Sequence, residues 1–211
     1  MITVIGSLKG GSGKSTVTFN LAIWLAMADV KVAVIDADPQ ATLSDVLQVR
    51  EEEGYTPMVA QLPVSALHDA SQREGYEQIL VDIGTASMDN VKQALAIADR
   101  ILVPVPPSQA DIWSTQRFLR FVAAQLGERP VEILGFINRA DTHHAIRESD
   151  EAAAALVSLP GIKFLRPRLA QRTIYRRALS EGLAVFEQLR RSKGAAEWNA
   201  LAAALCPDII S

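Results

Sequence analysis

The stretch SLKGGSGKST, residues 7–16, sits between a short β-branched run at residues 2–7 and a segment from Lys14 to about Ala28 that carries Leu21, Leu25 and Ala28 on one helical face. In a strand-loop-helix setting, Gly10, Gly11 and Gly13 let successive backbone N–H groups curl around an anion, with the positive end of the helix behind them. Lys14 then reaches the β- and γ-phosphates of a nucleotide, and the Ser15 hydroxyl can ligate Mg²⁺. Ser12 and Thr16 complete the loop. A glycine-rich turn without a ligand would not require the full motif in this setting. One residue has no place in a site for one nucleotide: a second lysine, Lys9, five positions before Lys14.

Working outward, four more near-continuous apolar runs follow: KVAVID at 31–36, QILVDI at 78–83, RILVPV at 100–105 and VEILGFIN at 131–138. Strands buried on both faces read this way. Helical patterns at 88–98, 111–126 and 145–157 separate them, and GAAEWNALAAALC, 194–206, reads as a closing helix. The alternation predicts an α/β fold, a mostly parallel twisted sheet with helices on both faces and ligands at the carboxyl ends of the strands. Residues 51–63 are open: one short strand at 58–61, or only a loop. No repeat, low-complexity tract or long linker marks a boundary, so one domain over 1–211 is expected.

The composition, 49% hydrophobic and 21% charged, is that of a well-packed globular chain, and the longest apolar runs fall far short of the roughly 20 residues of a membrane span. The N-terminus lacks a basic n-region and a cleavage site, which points to the cytoplasm. The single cysteine, Cys206, cannot form an internal disulfide or a thiolate metal cluster. The formal net charge of -3 hides an asymmetry. Between residues 163 and 193 lie nine basic residues, Lys163, Arg166, Arg168, Arg172, Arg176, Arg177, Arg190, Arg191 and Lys193, against Glu181 and Glu187. So basic a stripe on an acidic chain is a candidate anion-binding surface, or else a solvated helix face paired with the acidic remainder. His143 and His144 have no convincing set of further metal ligands nearby and read as loop or helix-start residues.

The phosphate-loop consensus places a glycine five residues before Gly13, where this chain has Leu8. With Lys9, the variant resembles the deviant Walker A ATPases, the P-loop NTPase family that includes ParA, MinD and the nitrogenase iron protein. The resemblance implies that Lys9 crosses a homodimer interface and contacts the phosphates bound by the other subunit, as an arginine finger does. Two lysines would then serve two nucleotides. In VIDADPQ it implies that Asp38 positions or activates the attacking water and that Asp36 lies near the Mg²⁺ sphere. Asp82, closing YEQILVDIG, matches the Walker B position that holds Mg²⁺, although a lone aspartate after an apolar run also serves as a simple cap. Gly84 suits a backbone close to the γ-phosphate, while DIGTAS departs from the family's DTPP and leaves the second switch open in detail.

PVPPSQADIW resembles the ParA segment PVxPSxxDxW and, with Asn138 and Arg139 in GFINRAD, fits recognition of the nucleotide base. The Asn138 amide can read an adenine edge or simply cap the loop. The run QRTIYRRALSEGLAVFE resembles the C-terminal part of small ParA proteins, where basic residues bind DNA without sequence preference. Arg166, Arg168, Arg172, Arg176 and Arg177 come first as DNA contacts, then Arg190, Arg191 and Lys193. The resemblance runs from Met1 to about Glu187. It implies a short ParA-type ATPase without an N-terminal helix-turn-helix region, nucleoid-associated, dimeric on ATP, and released when a ParB-like or other adaptor stimulates hydrolysis. Its cargo would be plasmid or chromosome DNA or another positioned body.

Three other readings compete. A MinD-like, membrane-associated regulator of division-site placement calls for a basic amphipathic C-terminal helix, but WNALAAALCPDIIS has no lysine or arginine, and no membrane partner is expected. A nitrogenase-reductase-like protein needs two cluster cysteines per subunit, and there is one. A small metabolite kinase or ligase leaves Lys9 and the basic stripe without a purpose.

Overall fold

The computed structural model describes residues 1–142 and 147–209; His143 and His144 lie outside them. The elements in chain order are β1 (Ile2–Ile5), α1 (Lys14–Met27), β2 (Val32–Asp36), α2 (Thr42–Glu52), β3 (Ala60–Leu62), β4 (Gln78–Asp82), α3 (Met88–Ile97), β5 (Arg100–Val105), α4 (Gln109–Leu126), β6 (Glu132–Ala140), α5 (Glu148–Val157), β7 (Lys163–Phe164), β8 (Leu169–Ala170), α6 (Thr173–Ser180), α7 (Val185–Gln188) and α8 (Lys193–Leu205). Short 3₁₀ turns at Val64–Leu67 and Ala70–Arg73 bridge β3 to β4.

The strands form one sheet in the order β3-β2-β4-β1-β5-β6-β7, with β8 pairing the far end of β6, and every pair is parallel. The chain leaves β1 toward β2 on one side and later crosses to β5 on the other, so the order reverses around β1 and opens a crevice at the strands' carboxyl ends. Alternation within the strands explains the two helix layers. Ile5, Val34, Leu80 and Leu102 pack with α1, α2 and the C-terminal helices, while Val4, Ile35, Val81 and Ile101 pack with α3, α4 and α5. Each fully buried side chain of this kind contributes about 1.5–3 kcal/mol relative to exposure. Both faces are therefore apolar, which is why the strands read as continuous runs and not as alternating ones.

The open segment at 58–61 resolves into a three-residue edge strand shifted C-terminally, β3, paired with β2 through Ala33 and Ala60. The helix expected at 145–157 is described from Glu148. Among the described residues five helices and strands escape the sequence reading: α2, α6, the one-turn α7 and the two-residue strands β7 and β8. Among the described residues no helix is long and apolar enough to cross a membrane.

Gly182 shows how tightly the C-terminal segment is applied to this framework. Its φ is +68°, and a Cβ there would meet the backbone nitrogen of Arg50 at 2.7 Å. A left-handed backbone alone costs a non-glycine residue about 1–3 kcal/mol, and the clash with main chain cannot be relieved by a rotamer change. Gly182→Ala is expected to lower unfolding stability by at least that amount, measured by urea denaturation; an unchanged midpoint would show that the α6–α7 turn is not held against α2 in solution.

Candidate nucleotide site

α3, α4 and α8 each begin with a serine whose hydroxyl accepts a backbone N–H: Ser87 from Asn90, Ser108 from Asp111, Ser192 from Ala195. α1 does not. Its cap is Gly13 at φ 91°, with no side-chain cap and no acidic residue in the first turn. The N–H groups at the start of the P-loop helix are thus left for a ligand, with the helix dipole behind them. Within the loop, Ser7 and Ser12 share a hydrogen bond of 2.8 Å, and Ser7 donates to the Lys9 carbonyl at 3.0 Å. Asn138 donates its Nδ2 to the Ser12 carbonyl at 2.7 Å, and Arg139, itself at φ 57°, donates to the Gly11 carbonyl at 2.6 Å. Both residues singled out for base recognition therefore also brace the phosphate loop.

A cleft of about 230 Å³ opens at this loop, lined by Gly10, Gly11, Gly13, Lys14, Ser15 and Thr16 from below and by Asp38, Gln40, Thr42, Thr85 and Ala86 from the facing loops. The last four were not picked out in the sequence. Their only signal is position, since they follow the strand ends at Asp36 and Asp82. Asp38 receives the Gln40 N–H at 3.0 Å and hangs over the end of β4, where any Cβ on residue 84 would overlap its carboxylate. Glycine at 84 is required by that approach, and it brings Asp38 to the wall of the cleft.

Asp36 and Asp82 are register partners on the adjacent strands β2 and β4. Their situations differ. Asp36 accepts from the N–H and hydroxyl of Ser44 at 2.8 and 2.7 Å and from the Asp38 N–H at 3.2 Å, so it caps the first turn of α2 from outside the helix. Asp82 is fully buried and neither carboxylate oxygen has a hydrogen-bond partner. Burial pushes its pKa up to about 7, against the opposing pull of the Ser15 hydroxyl and the Lys14 ammonium, neither of which makes a direct bond to it.

An orphaned buried carboxylate beside a serine hydroxyl fits Mg²⁺, which takes one or two carboxylates and keeps its other positions for water and substrate phosphate. Among the described residues there is no cluster of three or more His, Cys, Asp or Glu that would hold a metal without a phosphate.

A second cavity, about 550 Å³, lies on the other side of the loop, sharing Gly11, Gly13 and Thr16 and lined further by Asn138, Arg139, Gln171, Arg172, Tyr175 and Arg176. PVPPSQADIW does not line it. Pro106, Pro107, Ser108 and Asp111 lie beside Lys9 in a separate recess. The motif's aspartate has a partner there: Lys9 Nζ is 2.8 Å from Asp111 Oδ1, with Lys9 half exposed and Asp111 nearly buried and also bonded to the Ser108 hydroxyl. Asp111 was in the quoted motif, yet only the fold shows that it faces the loop lysine.

The basic stripe divides in two. Arg172 is bonded to Glu197 through Nε and Nη2, at 2.5 Å for the shortest contact, and Arg168 pairs with Asp150 at 2.6 Å. Arg166, Arg176, Arg177, Arg190, Arg191 and Lys193 are exposed and carry no ion pair among the described residues.

Fold and site together define a nucleotide-binding P-loop protein. The CobQ/CobB/MinD/ParA nucleotide binding domain model matches residues 3–185, and the chain belongs to that family. It is 26% identical over 200 residues to the maintenance of carboxysome distribution protein A of Halothiobacillus neapolitanus, covering 92% of this chain and 90% of that protein. It is 25% identical over 178 residues to protein ParA of Rhizobium radiobacter, covering 82% and 80%. Among solved structures, a putative plasmid partition protein of Borrelia burgdorferi bound to AMPPNP shares the fold with a TM-score of 0.75 at 19% identity, covering 98% of both chains.

The Asp82 environment gives a pH prediction for the metal-free protein. The fold keeps this proton up to about 7, whereas the unfolded chain releases it near 3.8. Between those values the folded state binds more protons, so stability falls as pH rises from about 4 to about 7, with no further loss from this group above that. Urea unfolding across the range should show the decline, and Asp82→Asn should flatten it; an equal decline in Asp82→Asn would assign it to other groups.

Proposed function

We propose that this protein is a partition-type ATPase that binds ATP with Mg²⁺ and pairs with a second copy across the nucleotides. In that state it binds DNA without sequence preference, and an adaptor protein that stimulates hydrolysis releases it. The observation that carries the reading is the position of Lys9. It lies at the rim of the phosphate loop yet lines a separate recess and not its own phosphate cleft, which Lys14 already serves. A lysine so placed has a use when a second nucleotide is brought against the same face.

In this reading the loop N–H groups and Lys14 hold the phosphates, and Ser15 and Asp82 hold Mg²⁺, with Asp36 bracing the adjoining loop. The metal, when bound, neutralises charge on the β- and γ-phosphates. Asp38 orients a water for attack on the γ-phosphorus, and the bond to the β–γ bridging oxygen breaks. Lys9 leaves Asp111 and offsets charge on the transferred phosphoryl group in the partner's site. The base occupies the larger cavity, with the Asn138 carbonyl oxygen and Arg139 at its edge. DNA contact falls to the unpaired set, Arg166, Arg176, Arg177, Arg190, Arg191 and Lys193, while Arg168 and Arg172 are committed to carboxylates. Support for partition as the task comes from the names of similar proteins, one a maintenance of carboxysome distribution protein and another a putative plasmid partition protein.

The test is binding to non-specific duplex DNA with ATP, ADP or no nucleotide across a salt series, with Asp38→Ala to block turnover. With ~3 phosphates neutralised per subunit, the dimer should show a log-log salt slope of about -5, and binding only with ATP. Equal binding in all three states, or none in any, overturns the DNA-switch reading. In parallel, Lys9→Ala is expected to bind nucleotide normally through Lys14 and to lose ATP-dependent dimerisation or hydrolysis; full turnover with dimerisation intact would remove the trans role of Lys9.

A further inference from the structure

Two buried polar connections run from the nucleotide-facing helices to the basic segment, and the proposed chemistry uses neither. The first starts at Arg50, near the end of α2, whose side chain is completely buried. Its Nε donates to the Pro57 carbonyl at 3.0 Å, Nη1 to the Gly182 carbonyl at 3.0 Å and to Glu187 at 2.9 Å, and Nη2 to Glu187 at 2.9 Å. Glu187 in turn accepts the Ala184 N–H at 2.8 Å, which fixes the start of α7. The second starts at Asn20 on α1, which accepts the Val185 N–H at 2.8 Å through Oδ1 and donates to the Thr16 carbonyl at 2.8 Å through Nδ2. Short α7 is thus keyed to both the P-loop helix and α2.

A buried Arg–Glu pair is a poor choice for adhesion alone, because an apolar pair of similar volume holds as well without desolvating two charges. What it supplies is a single geometry. The guanidinium forks onto one carboxylate and two carbonyls, of which Glu187 and Gly182 belong to the C-terminal segment, so α2 cannot slide past the α6–α7 turn without breaking several bonds at once. At its other end α2 hangs from Asp36 through Ser44, next to the loop of Asp38, Gln40 and Thr42 that walls the phosphate cleft. Eleven helical residues span ~16 Å between these ends.

We propose that α2 is a strut that transmits the state of the phosphate cleft to the basic segment, with Arg50 and Glu187 as the positioning residues at its far end. A nucleotide that engages Asp38 and rearranges the loop displaces α2 as a body. The Arg50–Glu187 fork carries the α6–α7 turn with it and changes how Arg176, Arg177, Arg190 and Arg191 are presented. This rests on the ATP-switch reading above and adds the route by which the switch reaches the DNA face.

The test compares the wild-type protein with the paired variant Arg50→Met/Glu187→Met, which removes both charges together and so leaves no uncompensated buried ion where either single variant would. Hydrogen exchange is followed at the P-loop, at α2 and at residues 173–191, with and without a non-hydrolysable ATP analogue. The expected result is nucleotide-dependent protection at all three in the wild-type protein, and at the P-loop and α2 only in the paired variant. The ratio of DNA affinity with the analogue to that with ADP should fall at least about fivefold, the lower end of ordinary coupling. Leu201→Ala, a destabilising change in α8 with no part in the strut, should leave that ratio unchanged. A paired variant in which residues 173–191 still respond to nucleotide, or a wild-type protein in which they never respond while the P-loop does, overturns the proposal. Absence of any response at the P-loop would overturn the nucleotide reading itself.

Discussion

Lys14, at the start of α1, and Asp82, at the end of β4, are both buried, without a direct ion pair between them. Keeping two such groups close and unjoined is costly in a folded chain, because each would be steadied by the other. The surrounding architecture keeps them apart. The loop closes through Ser7 with Ser12 and is braced by Asn138 and Arg139 from β6, while the parallel register of β2, β4 and β1 fixes Asp82 in depth. The unpaired groups left at the loop are those that the proposed nucleotide and its metal would engage.

The parts of this arrangement that could be read from the sequence are those whose physical causes are local. Strands buried on both faces must be apolar throughout, and a glycine loop followed by a helix must look as it does in order to wrap an anion. The parts that could not be read depend on distant partners. In VREEE nothing distinguishes Arg50 from a surface arginine, yet it is among the most buried side chains of the chain because Glu187 and Gly182 come to it from more than 130 positions away. The buried residues of α2, Leu43, Val46, Leu47 and Arg50, do have helical spacing, but the stripe is short and an arginine takes its fourth place, so it does not read as apolar. Asp111 was visible as a motif residue, but its partner Lys9 is about a hundred positions upstream.

Charge counting along the chain also has a limit that the structure exposes. The stretch from 163 to 193 counts nine basic and two acidic residues. In space, Glu187 is paired with an arginine from outside the stretch, and Lys163, Arg168 and Arg172 are paired with carboxylates from β6, α5 and α8. The two exchanges partly cancel in number but not in place. What remains free is concentrated on α6 and on the connection between α7 and α8, so the available field is narrower than the sequence stripe.

The three tryptophans occupy three different environments. Trp198 is fully buried in α8, Trp24 is half buried on α1, and Trp113 is 54% exposed on α4, two residues beyond the Asp111 that holds Lys9. Excited at the indole band, the chain therefore emits from one dry, one intermediate and one wet chromophore, and only the wet one stands open to whatever covers the outer face of α4. Anything that covers Trp113 itself shifts its emission toward the blue and shields it from a dissolved quencher, while buried Trp198 stays constant as an internal standard. The molecule carries its own optical gauge of occupancy there, with no label attached.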